Sequence, residues 1–148
     1  MYSLLFYNLL LLIHISCFAL WMGAVAASLF VVRVLEPRLT GSGPNVAEDA
    51  ALLKAYIRKE TRMVDVVFIG AVISGVLLAQ FYLGWTTWVF VKIGLLVLQF
   101  SATIGYVFKS VMHISYPCTP EVYKRWYKLI GISLTSFAIM LTFVFFGR

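Results

Sequence analysis

The sequence predicts an all-α integral membrane protein, a bundle of four transmembrane helices joined by short connections. Hydrophobic residues make up 62% of the 148-residue chain and charged residues only 12%, whereas about a quarter of an ordinary soluble domain is charged. The apolar residues also fall into four runs, each near the roughly 20 residues that a helix needs to cross hydrocarbon. At this length the chain forms a single domain, residues 1–148, and the lipid bilayer is its predicted solvent and partner.

The four predicted spans are residues 4–32, 63–82, 86–111 and 126–147. The first run resembles a secretory signal, because Ala24-Val25-Ala26 could be a cleavage site. However, no basic residue precedes the run, and it is about twice as long as a signal's apolar region. We therefore expect a retained helix. A turn-like segment, residues 82–87, separates the second and third spans.

The connection between the first and second spans predicts a helix of its own. Residues 40–43 form a flexible turn, and Pro44 suits the first position of a helix. Glu48 and Asp49 favour a helix N-terminus, and apolar residues then recur at helical spacing. No helix breaker follows, so one long helix is predicted from near Pro44 through the second span, extended into the cytoplasm. For the fourth helix, Thr119 is the predicted cap.

The net charge of +6 comes from cations that cluster in two connections. Lys and Arg residues crowd the segment between spans one and two and the segment between spans three and four. By the positive-inside rule both segments are cytoplasmic, which leaves the two termini and the short hairpin outside. This distribution explains the charge, so no nucleic-acid partner is predicted. Cys17 and Cys118 lie at different depths, and no disulfide is expected.

Small residues one turn apart predict close contacts between helices, because they let two backbones approach. The predicted pairs are Gly23 with Ala27, Gly70 with Ser74, and Ser101 with Gly105.

Ionisable groups inside a bilayer are costly, so each is a candidate for function. His14 and Cys17 share one face of the first helix, and Met140 on the fourth helix is predicted at a comparable depth. Imidazole, thiol and thioether together suit a soft metal such as Cu(I), and the histidine alone suits haem iron. The alternative is a structural histidine bonded to a neighbouring helix, with Cys17 as a small apolar filler.

Lys92 is the other candidate. It lies near the outer end of the third span, where its side chain can extend to the outer headgroups. As a functional residue it could instead hold an anionic ligand such as a porphyrin propionate. The sequence contains no nucleotide-binding loop, HExxH, CxxC or Ser-His-Asp pattern, and no catalytic residue is assigned.

Three segments together resemble a known family. Leu-Ile-His at residues 12–14 and Trp-Met-Gly at 21–23 resemble the "LH…W-x-G" opening of the copper-resistance CopD-like membrane domains. The HemJ-type protoporphyrinogen oxidases open in a related way. Residues 73–79 resemble the "TG-x-x-L-A" end of their second helix, and residues 88–96 resemble their "L-x-x-K-x-x-L" third helix. The resemblance covers three of the four helices, in the correct order.

The resemblance implies handling of copper, haem or porphyrin precursors in a bacterial cytoplasmic membrane. His14 would be the metal or haem b ligand and Lys92 the matching lysine. HemJ-type proteins carry a further histidine where this chain has Thr103, so a HemJ-type oxidase ranks lowest. The main alternative is an accessory or structural subunit of a larger membrane complex, without chemistry of its own. The predicted assembly is a homo-oligomer or such a complex.

Overall fold

The protein folds as an all-α bundle of four helices, as its composition predicts. The computed structural model describes residues 4–41 and 43–146, except for the side chain of Phe145. The helices are α1 (Leu4–Thr40), α2 (Val46–Leu78), α3 (Thr87–Tyr106) and α4 (Pro120–Phe146). A π-helical turn extends α2 over Ala79–Leu83, and another extends α3 over Val107–Val111. All four helices are long and apolar enough to cross a membrane.

The first two helices are longer than a membrane is thick. α1 has 37 residues, and at about 1.5 Å per residue it measures about 55 Å, against about 30 Å of hydrocarbon. α2 runs unbroken from Val46, which confirms the single long helix predicted from near Pro44. The two helices therefore project from the membrane together. Across their turn, Arg38 and Asp49 form an ion pair of 3.3 Å.

Local sequence explains how the other helices begin. Gly84, between α2 and α3, has φ = 74°, a left-handed conformation that glycine adopts without steric cost. At α4 the Val122 backbone N–H donates to Thr119 Oγ1 at 3.4 Å, which confirms the predicted cap.

The largest core lies where α1 ends, α2 and α4 begin, and α3 ends. We call this the basic end, because the two cation-rich connections lie there. The side chains of Val32, Leu39, Leu53 and Tyr123 are almost completely buried in it. The Tyr123 hydroxyl donates to the Val32 carbonyl at 2.6 Å and so joins α4 to α1. Trp126 Nε1 donates to the Tyr116 hydroxyl at 3.0 Å.

A smaller core lies farther along the bundle. Trp21 meets Phe137 and Phe68 edge to face, with ring centroids 4.9 and 5.6 Å apart, and Val67 is buried beside them. α3 contributes little to either core, since Gln99 is its only buried residue. Most of the apolar surface of α3 therefore faces outward, as expected for a helix in lipid.

Candidate functional site around His14

His14 lies on the face of α1 that contacts α2. Its Nδ1 is 3.0 Å from the Ala71 carbonyl oxygen and 3.0 Å from Ser74 Oγ. The Ala71 oxygen can only accept a hydrogen bond, so Nδ1 carries the hydrogen. Ser74 in turn donates to the Gly70 carbonyl at 2.7 Å, which leaves its oxygen free to accept. The neighbouring helix thus selects one tautomer of His14.

Two glycines allow this close approach of α1 and α2. A Cβ atom on Gly75 would lie 3.0 Å from His14 Cε1, and one on Gly70 would lie 2.9 Å from Cys17 Sγ. Both distances are shorter than ordinary van der Waals contact. The Phe18 ring meets the imidazole edge to face at 5.1 Å. The His14 ring is therefore held by α2 and by its own helix.

The other ring nitrogen of His14 is left available. In the part of the chain that the structure describes, Nε2 has no hydrogen-bond partner. In the neutral imidazole it carries a lone pair, because the hydrogen is on Nδ1. Lys92 is exposed on α3. The site therefore offers one nitrogen ligand, Nε2 of His14.

The predicted sulfur ligands are placed as follows. Cys17 is half-buried and shares the α2-facing side of α1 with His14, as their spacing indicates. Its neighbours include the core around Trp21. Met140 is buried on α4, 7% exposed. Within residues 4–41 and 43–146, no three His, Cys, Asp or Glu side chains converge to hold a metal ion. The soft-metal set of His14, Cys17 and Met140 stays a prediction.

The small-residue prediction is correct at one of its three places. Gly70 and Ser74 form the contact with α1, as expected. Gly23 and Gly105 have open space where a Cβ would lie, so the contacts predicted for them are wrong. Both glycines lie on exposed faces of their helices. Small residues permit a close approach but do not specify it.

Sequence reasoning missed Gln99. Its side chain is 4% exposed, and neither its amide nitrogen nor its amide oxygen has a hydrogen-bond partner. One turn later, the buried Thr103 hydroxyl is also unpartnered. Unpaired polar groups in an apolar interior are costly. A single glutamine inside an apolar span was the available signal.

Cys118 lies outside the spans, in the connection before α4. Its backbone N–H donates to the Leu39 carbonyl at 3.1 Å, which ties this connection to the end of α1. Burial raises the pKa of the Cys118 thiol above its ordinary value. Because the thiolate is the reactive form, Cys118 is suited to packing rather than chemistry.

Comparison with known proteins assigns this chain to no family. The chain matches no protein-family model, no curated protein and no solved structure. The fold and the site define a class of protein: a four-helix membrane bundle in which one histidine is fixed between the first two helices.

Proposed function

We propose that this protein binds a haem-type porphyrin in the membrane, with Nε2 of His14 as the ligand to the iron. One observation carries the proposal: Nδ1 of His14 donates to the Ala71 carbonyl. Histidines that bind metals almost always donate their second N–H to a carbonyl, carboxylate or water, which fixes the ring and raises its basicity. The resemblance to CopD-like and HemJ-type proteins supports the same residue.

A porphyrin suits the site better than copper does. Copper(I) needs several soft ligands from the protein, and no such cluster of His and Cys forms in the described residues. Haem iron takes its equatorial nitrogens from the porphyrin, so one histidine is enough to hold it. Lys92 would pair with a propionate. When bound, haem would supply a redox-active iron; His14 would hold it, and Ala71 and Ser74 would orient the His14 ring.

No residue is proposed to be catalytic. Thr103 stands where HemJ-type proteins have their second histidine, so the oxidase stays the lowest-ranked alternative. We also propose the cytoplasmic membrane as the location, with the basic end in the cytoplasm. The support is the concentration of Lys and Arg at that end.

An accessory subunit of a larger membrane complex is the second candidate. It is favoured by α3, of which only Gln99 is buried. Its remaining surface includes Phe90, 58% exposed, and Leu98, 66% exposed. This surface can pack against lipid or against a helix of another subunit, including a second copy of this chain.

The test is to purify the full chain gently from a native membrane and measure iron, copper and haem absorption. Wild-type protein is expected to carry close to one haem per chain. His14→Ala should lose it, whereas His113→Ala, at an exposed histidine outside the spans, should keep it. Lys92→Gln should weaken haem binding without abolishing it.

Other outcomes decide between the alternatives. If the purified protein contains copper and His14→Ala loses it, copper binding would replace haem binding as the proposed function. A metal-free protein that co-purifies with larger partners would reject the site and favour the accessory subunit.

A further inference from the structure

At the basic end, exposed Lys and Arg side chains are present on all four helices. We call these residues the basic collar: Arg33 of α1, Arg58, Lys59 and Arg62 of α2, Lys109 of α3, and Lys124, Arg125 and Lys128 of α4. Every one of these side chains is exposed, and each of the four helices, with its π-helical extension, contributes at least one of them.

Contacts between helices show the depths at which these cations lie. Ser28 Oγ donates to the Tyr56 hydroxyl at 3.5 Å, which aligns α1 with α2 just before Arg58. Tyr123 bonds to the Val32 carbonyl, next to Arg33. Arg125 donates to the Ser110 carbonyl at 3.3 Å, beside Lys109. On this register Arg58, Lys59 and Arg62 lie about one to three helical turns nearer the middle of the bundle than Arg33, so the collar is a band of that height rather than a single level.

Several carboxylates at this end are turned away from the collar. Glu36 accepts a hydrogen bond from the Tyr127 hydroxyl. Glu60 is half-buried, and Asp49 is paired with Arg38, which is not part of the collar. That pair is the only ion pair among residues 4–41 and 43–146. Asp65 and Glu121 are also exposed at this end, where ten Lys and Arg residues stand against six carboxylates. None of the collar cations is in an ion pair within the described residues, and the net charge of this end is positive.

Apolar side chains lie beside the collar. Phe30 is 69% exposed one turn from Arg33, and Val66 is 71% exposed one turn from Arg62. Phe108, next to Lys109, is 60% exposed. An anion on the collar would therefore have hydrocarbon-binding surface immediately next to it. That combination distinguishes a phospholipid from a free phosphate ion.

We propose that the basic collar binds the phosphate headgroups of anionic phospholipids in the adjacent leaflet. The acyl chains lie along Phe30, Val66 and Phe108. Lys and Arg near the surface of an anionic leaflet attract its headgroups, and the excess of cations over carboxylates at this end leaves a net attraction. The proposal does not depend on haem binding by His14.

The test uses the full chain in detergent, with retained lipids counted by native mass spectrometry. Equal amounts of phosphatidylglycerol and phosphatidylcholine are offered. Wild-type protein should retain phosphatidylglycerol preferentially. In the variant Arg58→Gln/Lys59→Gln/Arg62→Gln the preference should fall by about fivefold for each cation removed. The control is Arg38→Gln, which removes a cation outside the collar that is already paired with Asp49 and should leave the preference unchanged. Helical content by circular dichroism checks that each variant is folded.

Three results would overturn the proposal. The first is an unchanged preference in the folded triple variant. The second is an equal loss per cation in Arg38→Gln, which would show that total charge matters rather than the collar. The third is displacement of phosphatidylglycerol by an equal concentration of inorganic phosphate, which would indicate a phosphate site without lipid specificity.

Discussion

At the scale of single residues, the contact between α1 and α2 depends on two residues of α2 that have no side chain. Gly70 and Gly75 have no side chains, and the space is occupied by Cys17 Sγ and the His14 ring. Because helices in a membrane associate through close packing rather than by burying surface from water, a single added methyl group can separate them. The position of His14 therefore depends on residues that have no reactive group.

We predict that Gly70→Ala destabilises the bundle, since its Cβ would lie 2.9 Å from Cys17 Sγ. Overpacking of this kind typically costs about 1–3 kcal/mol. Cys17→Ala removes the sulfur, so the double variant should recover much of the loss in a double-mutant cycle of thermal unfolding in detergent. Gly94→Ala is the control: its Cβ meets nothing within 4 Å, and no loss is expected. Strictly additive effects of Gly70→Ala and Cys17→Ala would contradict the predicted contact.

At Gln99, in contrast, we expect a substitution to stabilise the bundle. An unpaired buried polar group costs about 1–3 kcal/mol, and both polar atoms of Gln99 are unpaired. Gln99→Leu, similar in size, should therefore raise the midpoint of thermal unfolding. Gln80→Leu serves as the control, because exposed Gln80 accepts a hydrogen bond from Trp85 Nε1 at 3.0 Å and should gain nothing. If Gln99→Leu lowers the midpoint, the amide has a partner in the membrane-bound protein.

At the scale of helices, α4 is attached to α1 through tyrosines at the basic end. Tyr123 is fully buried, and its hydroxyl bonds to the Val32 carbonyl. Tyr127 makes a second link through Glu36. These bonds fix the depth of α4 relative to α1, which purely apolar packing specifies less strictly.

We predict that Tyr123→Phe lowers the stability of the bundle by about 1 kcal/mol, the usual net value of one hydrogen bond. The ring remains, so packing should be preserved. The comparison is Tyr56→Phe, which removes a weaker, 3.5 Å bond with Ser28 and should have a smaller effect. Both are read from thermal unfolding in the same detergent. Equal losses, or no loss for Tyr123→Phe, would show that the bond to Val32 is not what holds α4.

At the scale of the whole molecule, charge divides the bundle into two unlike ends. The basic end holds the collar and the larger core, while the turn between α2 and α3, around Gly84, is uncharged. With four helices, α1 starts and α4 ends at the end of the bundle opposite the basic end. Orientation in the cell should follow this asymmetry.

We predict that the turn before α2 faces the cytoplasm and the turn before α3 faces outward. Single cysteines are introduced at the exposed positions Asn45 and Thr86, in a chain whose Cys17 and Cys118 are replaced by alanine. A membrane-impermeant maleimide on intact cells should label Thr86→Cys alone, and Asn45→Cys only after the membrane is opened. The reverse pattern would mean that the orientation is inverted.

Composition and local sequence patterns were enough to predict the class of this protein. Runs of apolar residues fix how many helices can cross a membrane, and Pro44, Gly84 and Thr119 mark where helices start and turn, because both are local properties of the chain. The spacing of His14 and Cys17 likewise placed them on one helix face. Only the tertiary structure decided which neighbour that face meets, that Gly70 is in contact while Gly23 and Gly105 are open, and that Gln99 is buried without a partner. These outcomes depend on the order and rotation of the helices around the bundle, and an apolar span looks alike whether it packs against lipid or against protein.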